Sequence, residues 1–191
     1  LLDVAGWKDS NGDGTRDKDG VELVLRYISN QRQLRKDVQA VVQQMWAQAG
    51  IGVELVNYGD DFFNSYADGG PIATGNYDIA EWSDVTSFPD PEQSSYWLCS
   101  QVVGPDNPDG GNWQSYCNPE LDALFDQQAT ETDPEARKEL CYQSGPILFD
   151  NVVWVGMWQD PDLWAVSNRL QGVKFSGASP FWNAREWFIN E

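Results

Sequence analysis

The sequence predicts an α/β fold, a mixed sheet flanked by helices, and three observations carry that prediction. Val21 to Ser29 alternates as a strand, residues 34–49 carry apolar side chains at helical spacing, and Ile51 to Tyr58 reads as a second strand, a β-α-β pattern. The run Gly-Val-Glu-Leu-Val occurs at 20–24 and again at 52–56, as expected of neighbouring strands that meet the same packing demands across a crossover. A third strand, Tyr77 to Trp82, ends in an aromatic residue and a carboxylate, Ser83-Asp84, before a proline-punctuated loop, Phe88-Pro89-Asp90-Pro91. At the carboxyl ends of strands in an open α/β sheet, such loops face a crevice and carry ligand contacts.

Taken in order, Leu1 to Trp7 reads as the last turns of a helix ending near Gly6. Asp9, Asn11, Asp13 and Asp17 fall at positions one, three, five and nine of a calcium loop, but position twelve, where a glutamate closes such sites, is Gly20. The segment is therefore either a calcium site of altered geometry or an Asp/Asn/Gly turn that reverses the chain before the first strand. Leu34, Val38, Val41, Val42, Met45 and Ala49 share one helical face, and Gly50 supplies the stop. Asp60 to Ala67 predicts a short helix broken by Asp68-Gly69-Gly70-Pro71. Asn118-Pro119-Glu120 and Asp133-Pro134-Glu135 are helix starts, each with a capping residue followed by proline in the first turn. The first of these helices carries Leu121, Leu124, Phe125 and Gln128; the second meets Gly145-Pro146, where a kink or restart is expected. Val152 to Trp158 is a continuous apolar run, as in a strand covered on both faces, and Leu163 to Val166 is a further candidate strand.

At 191 residues, with 41% hydrophobic and 13% aromatic content, the chain is long and apolar enough for one ordinary domain with a real core. The net charge of −18 is unevenly spread: residues 37–136 hold eighteen acidic groups and no lysine or arginine, while the remainder balances. Such a field repels nucleic acid and anionic membrane surfaces and attracts cations and amines; the plainer reading is a solvated acidic surface. No apolar run approaches the ~20 residues a membrane helix needs. Three cysteines allow one bridge. A bond between Cys99 and Cys117 would close a Gly/Pro/Asn-rich loop and implies an oxidising compartment, whereas Cys141 lies in a helical pattern; the alternative is three free thiols. With no histidine, and without a GxSxG elbow, phosphate loop or dinucleotide fingerprint, binding is favoured over catalysis.

Several pieces together resemble one family. Leu1-Leu2-Asp3-Val4-Ala5-Gly6-Trp7 with Asp9 to Asp13, Gly75-Asn76-Tyr77-Asp78 with Trp82, the run Asn112 to Asp122, and Phe181-Trp182-Asn183 with Trp187 look like the C-terminal half of the extracellular solute-binding proteins of family 5, the peptide receptors of ABC importers. The resemblance implies a lobe of a type II periplasmic-binding-protein, or Venus-flytrap, fold. Residues 1–159 would form the second lobe and 160–191 a segment returning toward a first lobe upstream. It implies a peptide ligand, an ABC permease as membrane partner, an extracytoplasmic location by secretion or lipid anchor, no required cofactor and no enzymatic activity. It also supports the Cys99–Cys117 bridge. In peptide-binding members a tryptophan ends the strand and a following aspartate takes the ligand's α-amino group. The matching residues here are Trp82 and Asp84, with Asp90 as the alternative, and Ser83, Asn112 and Trp113 complete the expected ligand surface. Other members of the family bind oligosaccharides, for which Trp82, Trp97 and Trp113 would serve as stacking platforms. A calcium-stabilised extracellular binding module is the remaining alternative.

Overall fold

The computed structural model describes residues 1–84, 93–176, 179 and 181–190. Its centre is a parallel sheet of three strands in the order β4-β3-β5. Strand β3 (Val24–Asn30) pairs along its whole length with β4 (Gly52–Tyr58), and at Tyr27–Ser29 with β5 (Ile79–Glu81) on its other side. Helix α1 (Gln33–Ala47) connects β3 to β4. The chain therefore leaves β3 toward one neighbour and comes back to pair on the opposite edge. In open sheets of this kind, ligands bind at the carboxyl ends of the strands where the order reverses, which here is between β3 and β5.

Antiparallel pairing is confined to short ribbons. β1 (Asp17–Lys18) and β2 (Val21–Glu22) form a hairpin whose two turn residues, Asp19 and Gly20, have φ of 53° and 80°, the left-handed pair that tight hairpins require. β6 (Leu170–Gln171) pairs β7 (Phe188–Ile189) near the C-terminus. Before the hairpin, Trp7 N–H donates to the Leu2 carbonyl and Gly6 N–H to that of Asp3, and Gly6 has φ 91°. This is how a helix end closes on a glycine, although residues 1–7 form turns rather than a helix.

Two cores hold the chain. On one face of the sheet Ile28, Phe62 and Ile72 are fully buried and gather Val56, Tyr58, Tyr77, Trp82 and Trp113 around them. Burial of each such side chain contributes about 1.5–3 kcal/mol. The second core, Trp97, Leu121 and Phe125, joins α2 (Ser94–Trp97), α3 (Pro119–Thr130) and α4 (Pro134–Asp150). Both long helices begin as their capping residues dictate. The Asn118 side chain accepts from the N–H of Glu120 and Leu121, and that of Asp133 from Ala136.

Several expectations are corrected. The apolar stripe of α1 faces outward, with Leu34 41%, Val41 55% and Met45 62% exposed. The face turned to the sheet is polar, built on Arg35 and Gln39, because β3 presents Tyr27 and Ser29 there and Gln39 satisfies the Tyr27 carbonyl. The helix from Pro134 runs through Pro146 to Asp150 without a break. The one expected from Asp60 is a single 3-10 turn, Asp60–Phe63. Val152 to Trp158 and Leu163 to Val166 are not strands: neither joins a sheet among the described residues, and both are largely exposed. Apolar continuity marks burial against something, and sheet neighbours are only one such partner.

Candidate ligand-binding site

β5 is short, and four consecutive residues at its end have different tasks. Glu81 points to the α1 side of the sheet and is buried, Trp82 packs against the apolar core, and Ser83 and Asp84 leave the sheet into solvent. The Trp82 ring meets Trp113 edge-on at 5.8 Å and Trp154 at 5.0 Å. Trp154 in turn meets Trp97 at 5.9 Å. Trp113 also lies 6.0 Å from Phe63, and its carbonyl accepts from the Tyr77 hydroxyl at 2.8 Å. Burial pushes the Tyr77 phenol up to about 12, so it remains a donor at any physiological pH.

The loop that presents Trp113 is held from both ends. Cys99 and Cys117 are bonded, with their Cα atoms 4.6 Å apart, and Cys141 is free. Asn112, expected on the ligand surface, is fully buried. Its amide donates to the carbonyls of Leu98 at 3.2 Å and Tyr116 at 2.7 Å, which makes it a brace inside the loop. Trp97 is buried at 4% exposure, so it offers no platform to a sugar ring. Asp84 is exposed and accepts from the Tyr96 hydroxyl at 3.5 Å. Asp90 lies outside the described residues.

Beneath this edge is a polar cluster that no local sequence pattern announces. The Tyr27 hydroxyl donates to Glu81 Oε2 at 2.6 Å, and the Ser29 hydroxyl to the Glu81 carbonyl at 2.8 Å. Arg35, only 5% exposed, donates from Nη2 to the Ser83 hydroxyl at 2.7 Å. Arg32 reaches the same oxygen at 3.4 Å while its Nη1 pairs Asp160 at 2.6 Å. Desolvation raises the Glu81 carboxyl above its ordinary value against the opposing pull of Tyr27 and Arg35. It also raises Tyr27, reinforced by the Glu81 contact. Donation from Arg32, and then from Trp158, lowers Asp160. The stretch that lacks arginine in sequence therefore does not lack it in space at Ser83. Arg32 and Arg35 stand just before the acidic stretch in the sequence, and the fold carries them to its middle.

The candidate calcium residues are brought into one loop, but their carboxylates are turned onto the chain itself. Asp9 accepts from the N–H of Gly12 at 2.7 Å and of Gly14 at 3.0 Å, Asn11 from that of Asp13 at 3.0 Å, and Asp13 from that of Thr15 at 2.8 Å. Asp17 accepts from both the N–H and the hydroxyl of Ser10, which lowers its pKa. These are the hydrogen bonds of an Asp/Asn turn. Among the described residues no three Asp, Glu or Cys side chains converge as a metal site would need.

Comparison with known proteins supplies the family to which this open parallel sheet belongs. The model of the bacterial extracellular solute-binding proteins, family 5 (middle region), matches residues 1–105, and the chain belongs to that family. It is 25% identical over 194 residues to the oligopeptide-binding protein AppA of Bacillus subtilis, a match spanning 99% of this chain and 33% of that protein. To the oligopeptide-binding protein OppA of Mycobacterium tuberculosis it is 28% identical over 178 residues, 92% of this chain and 28% of that one. The solved structure of Bacillus subtilis AppA in complex with a nonapeptide superposes with a TM-score of 0.75 at 24% identity, over 100% of this chain and 36% of that one. NikZ from Campylobacter jejuni, in complex with Ni(L-His), gives 0.69 at 20% identity, over 97% of this chain and 37% of that one. These likenesses establish the fold as that of a lobe of the periplasmic-binding-protein type. The chain spans about a third of the length of the curated relatives it matches.

Proposed function

We propose that this chain is the ligand-binding lobe of an ABC-importer receptor that captures peptides, with Trp82, Ser83, Asp84 and Trp113 forming its half of the site. The observation that carries this reading is the exposed Asp84 carboxylate two residues after Trp82, just beyond the carboxyl end of β5, where the strand order reverses. A carboxylate facing an ammonium group in a closing, water-poor cleft makes a strong charge-assisted contact. Relatives named as oligopeptide-binding proteins favour a peptide as the source of that ammonium. The burial of Trp97 counts against a sugar platform. The reading is one of binding without catalysis, outside the cytoplasm, in partnership with an ABC permease.

Residues 1–159 would act as the lobe and 160–191 as the segment that returns to a first lobe. Leu163 at 88% exposure, with Trp164, Phe181 and Trp182 at 50–62%, is the apolar surface that such a neighbour would cover. Closure of the two lobes by hinge motion would complete the site.

The test is calorimetry on the receptor polypeptide that contains this chain, with one peptide offered both unblocked and N-acetylated. The unblocked form is expected to bind at least about tenfold more tightly, and Asp84→Asn to erase most of the difference, a contact worth roughly 1.5–3 kcal/mol. Equal affinity for the two forms would remove the amine-anchor reading.

A further inference from the structure

Arg35 is buried yet incompletely paired. Its Nη2 holds Ser83, while Nε and Nη1, and Oε1 of the neighbouring Glu81, are buried without a partner among the described residues. Burial and the charge of Arg32 both depress the Arg35 guanidinium, with Glu81 and Asp160 opposing. A buried charge with idle donors costs stability relative to an apolar residue of similar volume, so stability does not account for an arginine here. The bond it does make falls on Ser83, which stands between the Trp82 ring and the Asp84 carboxylate. Two further ties fix the residue before them: Ser29 holds the Glu81 carbonyl, and Tyr27 its side chain. Strand pairing ends at Glu81, so beyond it the backbone has no ladder to hold it. From that point the Arg35–Ser83 bond takes over the work of the sheet.

We infer that Arg35 is a positioning residue: through the Ser83 hydroxyl it holds the Trp82–Asp84 edge in register from the core, and so presets the distance between aromatic ring and carboxylate. Arg32 adds a weaker hold on the same oxygen and, through Asp160, ties the edge to the segment whose Trp154 packs on Trp82. An edge fixed before ligand arrives loses less conformational freedom on binding, which improves affinity without adding a contact. The consequence for binding rests on the peptide-site reading proposed above; the positioning itself does not.

Amide hydrogen exchange on the unliganded receptor polypeptide separates the two. In Arg35→Met and Ser83→Ala the amides of residues 82–84 should exchange at least about tenfold faster, with the rest of the sheet unchanged. The melting temperature of Arg35→Met should be held or raised, because the incompletely paired charge is gone. Arg35→Lys, which keeps one donor, should restore part of the protection. Wild-type exchange at 82–84 in Ser83→Ala would overturn the inference. Ser83 is exposed, so its replacement leaves the core intact even if Arg35→Met fails to fold. Affinity for unblocked and N-acetylated peptides, measured on the same variants, then reports function. A positioning role lowers the preference for the free amine, whereas a purely structural role weakens both forms alike. Failure of the unmodified receptor to bind any peptide would count against the proposed function while leaving the exchange result to decide the role of Arg35.

Discussion

At the scale of single residues, the β5 end places one carboxylate in solvent and its near neighbour in the interior, and the two should answer pH differently. Burial raises Glu81 above the ordinary glutamate value of 4.5, so the folded state holds its proton to higher pH than the unfolded state. The stability this group contributes is fully present below 4.5 and is lost as pH rises through its folded value. Glu81→Gln, which can still accept from Tyr27, should therefore raise the melting temperature at pH 7 and change it little at pH 4, a comparison that thermal melts at the two pH values provide. Asp160 runs the other way: lowered by Arg32, it contributes stability above its ordinary 3.8 that fades on further acidification. The sequence made Trp82, Ser83 and Asp84 legible, because a strand ending in an aromatic and a carboxylate is a local pattern. It could not reveal Arg35 or Arg32, whose bonds to Ser83 span 48 and 51 residues. A run without lysine or arginine is a property of the chain order, and folding need not respect it.

At the scale of elements, the caps and the disulfide carry separable contributions. Asn118→Ala should cost about 1 kcal/mol by removing the acceptor for two first-turn N–H groups of α3. The Cys99–Cys117 bond closes a loop of sequence separation 18, and reducing it should cost about 3 kcal/mol in the chain-entropy model. Because that loop presents Trp113 and is braced by Asn112, reduction is also expected to weaken ligand binding more than the loss of global stability alone explains. Calorimetry below the melting transition, with and without reductant, checks this. The elements read correctly from the sequence were those with an internal signature, namely alternation in β3 and β4 and proline-led starts in α3 and α4. Those misread had an apolar pattern whose partner lay elsewhere. Val152 to Trp158 has the composition of a covered strand, but Trp154 packs edge-on against Trp82 and Trp97 while Val155 is 68% exposed. The outward stripe of α1 is the same kind of error, since helical spacing gives the face but not its direction.

At the scale of the molecule, the uneven charge and the exposed apolar side chains each have a consequence. The acidic excess lies in residues 37–136, the stretch of sequence that includes the candidate amine anchor, and the net charge of −18 favours the approach of cationic ligands, an effect that salt should weaken. The apolar exposure lies on α1 and along residues 152–189, with side chains such as Leu163, Phe181 and Trp182 turned to solvent. A surface of that extent is expected to bind an apolar dye such as ANS and to promote self-association when the 191-residue chain is prepared alone. Both effects should fall where a neighbouring lobe covers this surface, as proposed above. The isolated chain is likewise expected to bind peptides weakly or not at all, because only part of the contacts would be present. Micromolar affinity measured for it by calorimetry would contradict the division of the site between two lobes.

The indoles of Trp97, Trp154, Trp82 and Trp113 stand edge to face in an unbroken series, each within 6 Å of the next. Chromophores that close share their excited states, so light absorbed by one belongs to the group, and the circular dichroism of the group depends on the angles between rings. The protein thus carries its own optical gauge. A ligand that turns Trp82 by a few degrees would alter the coupled signal of all four, and binding could be followed without any label.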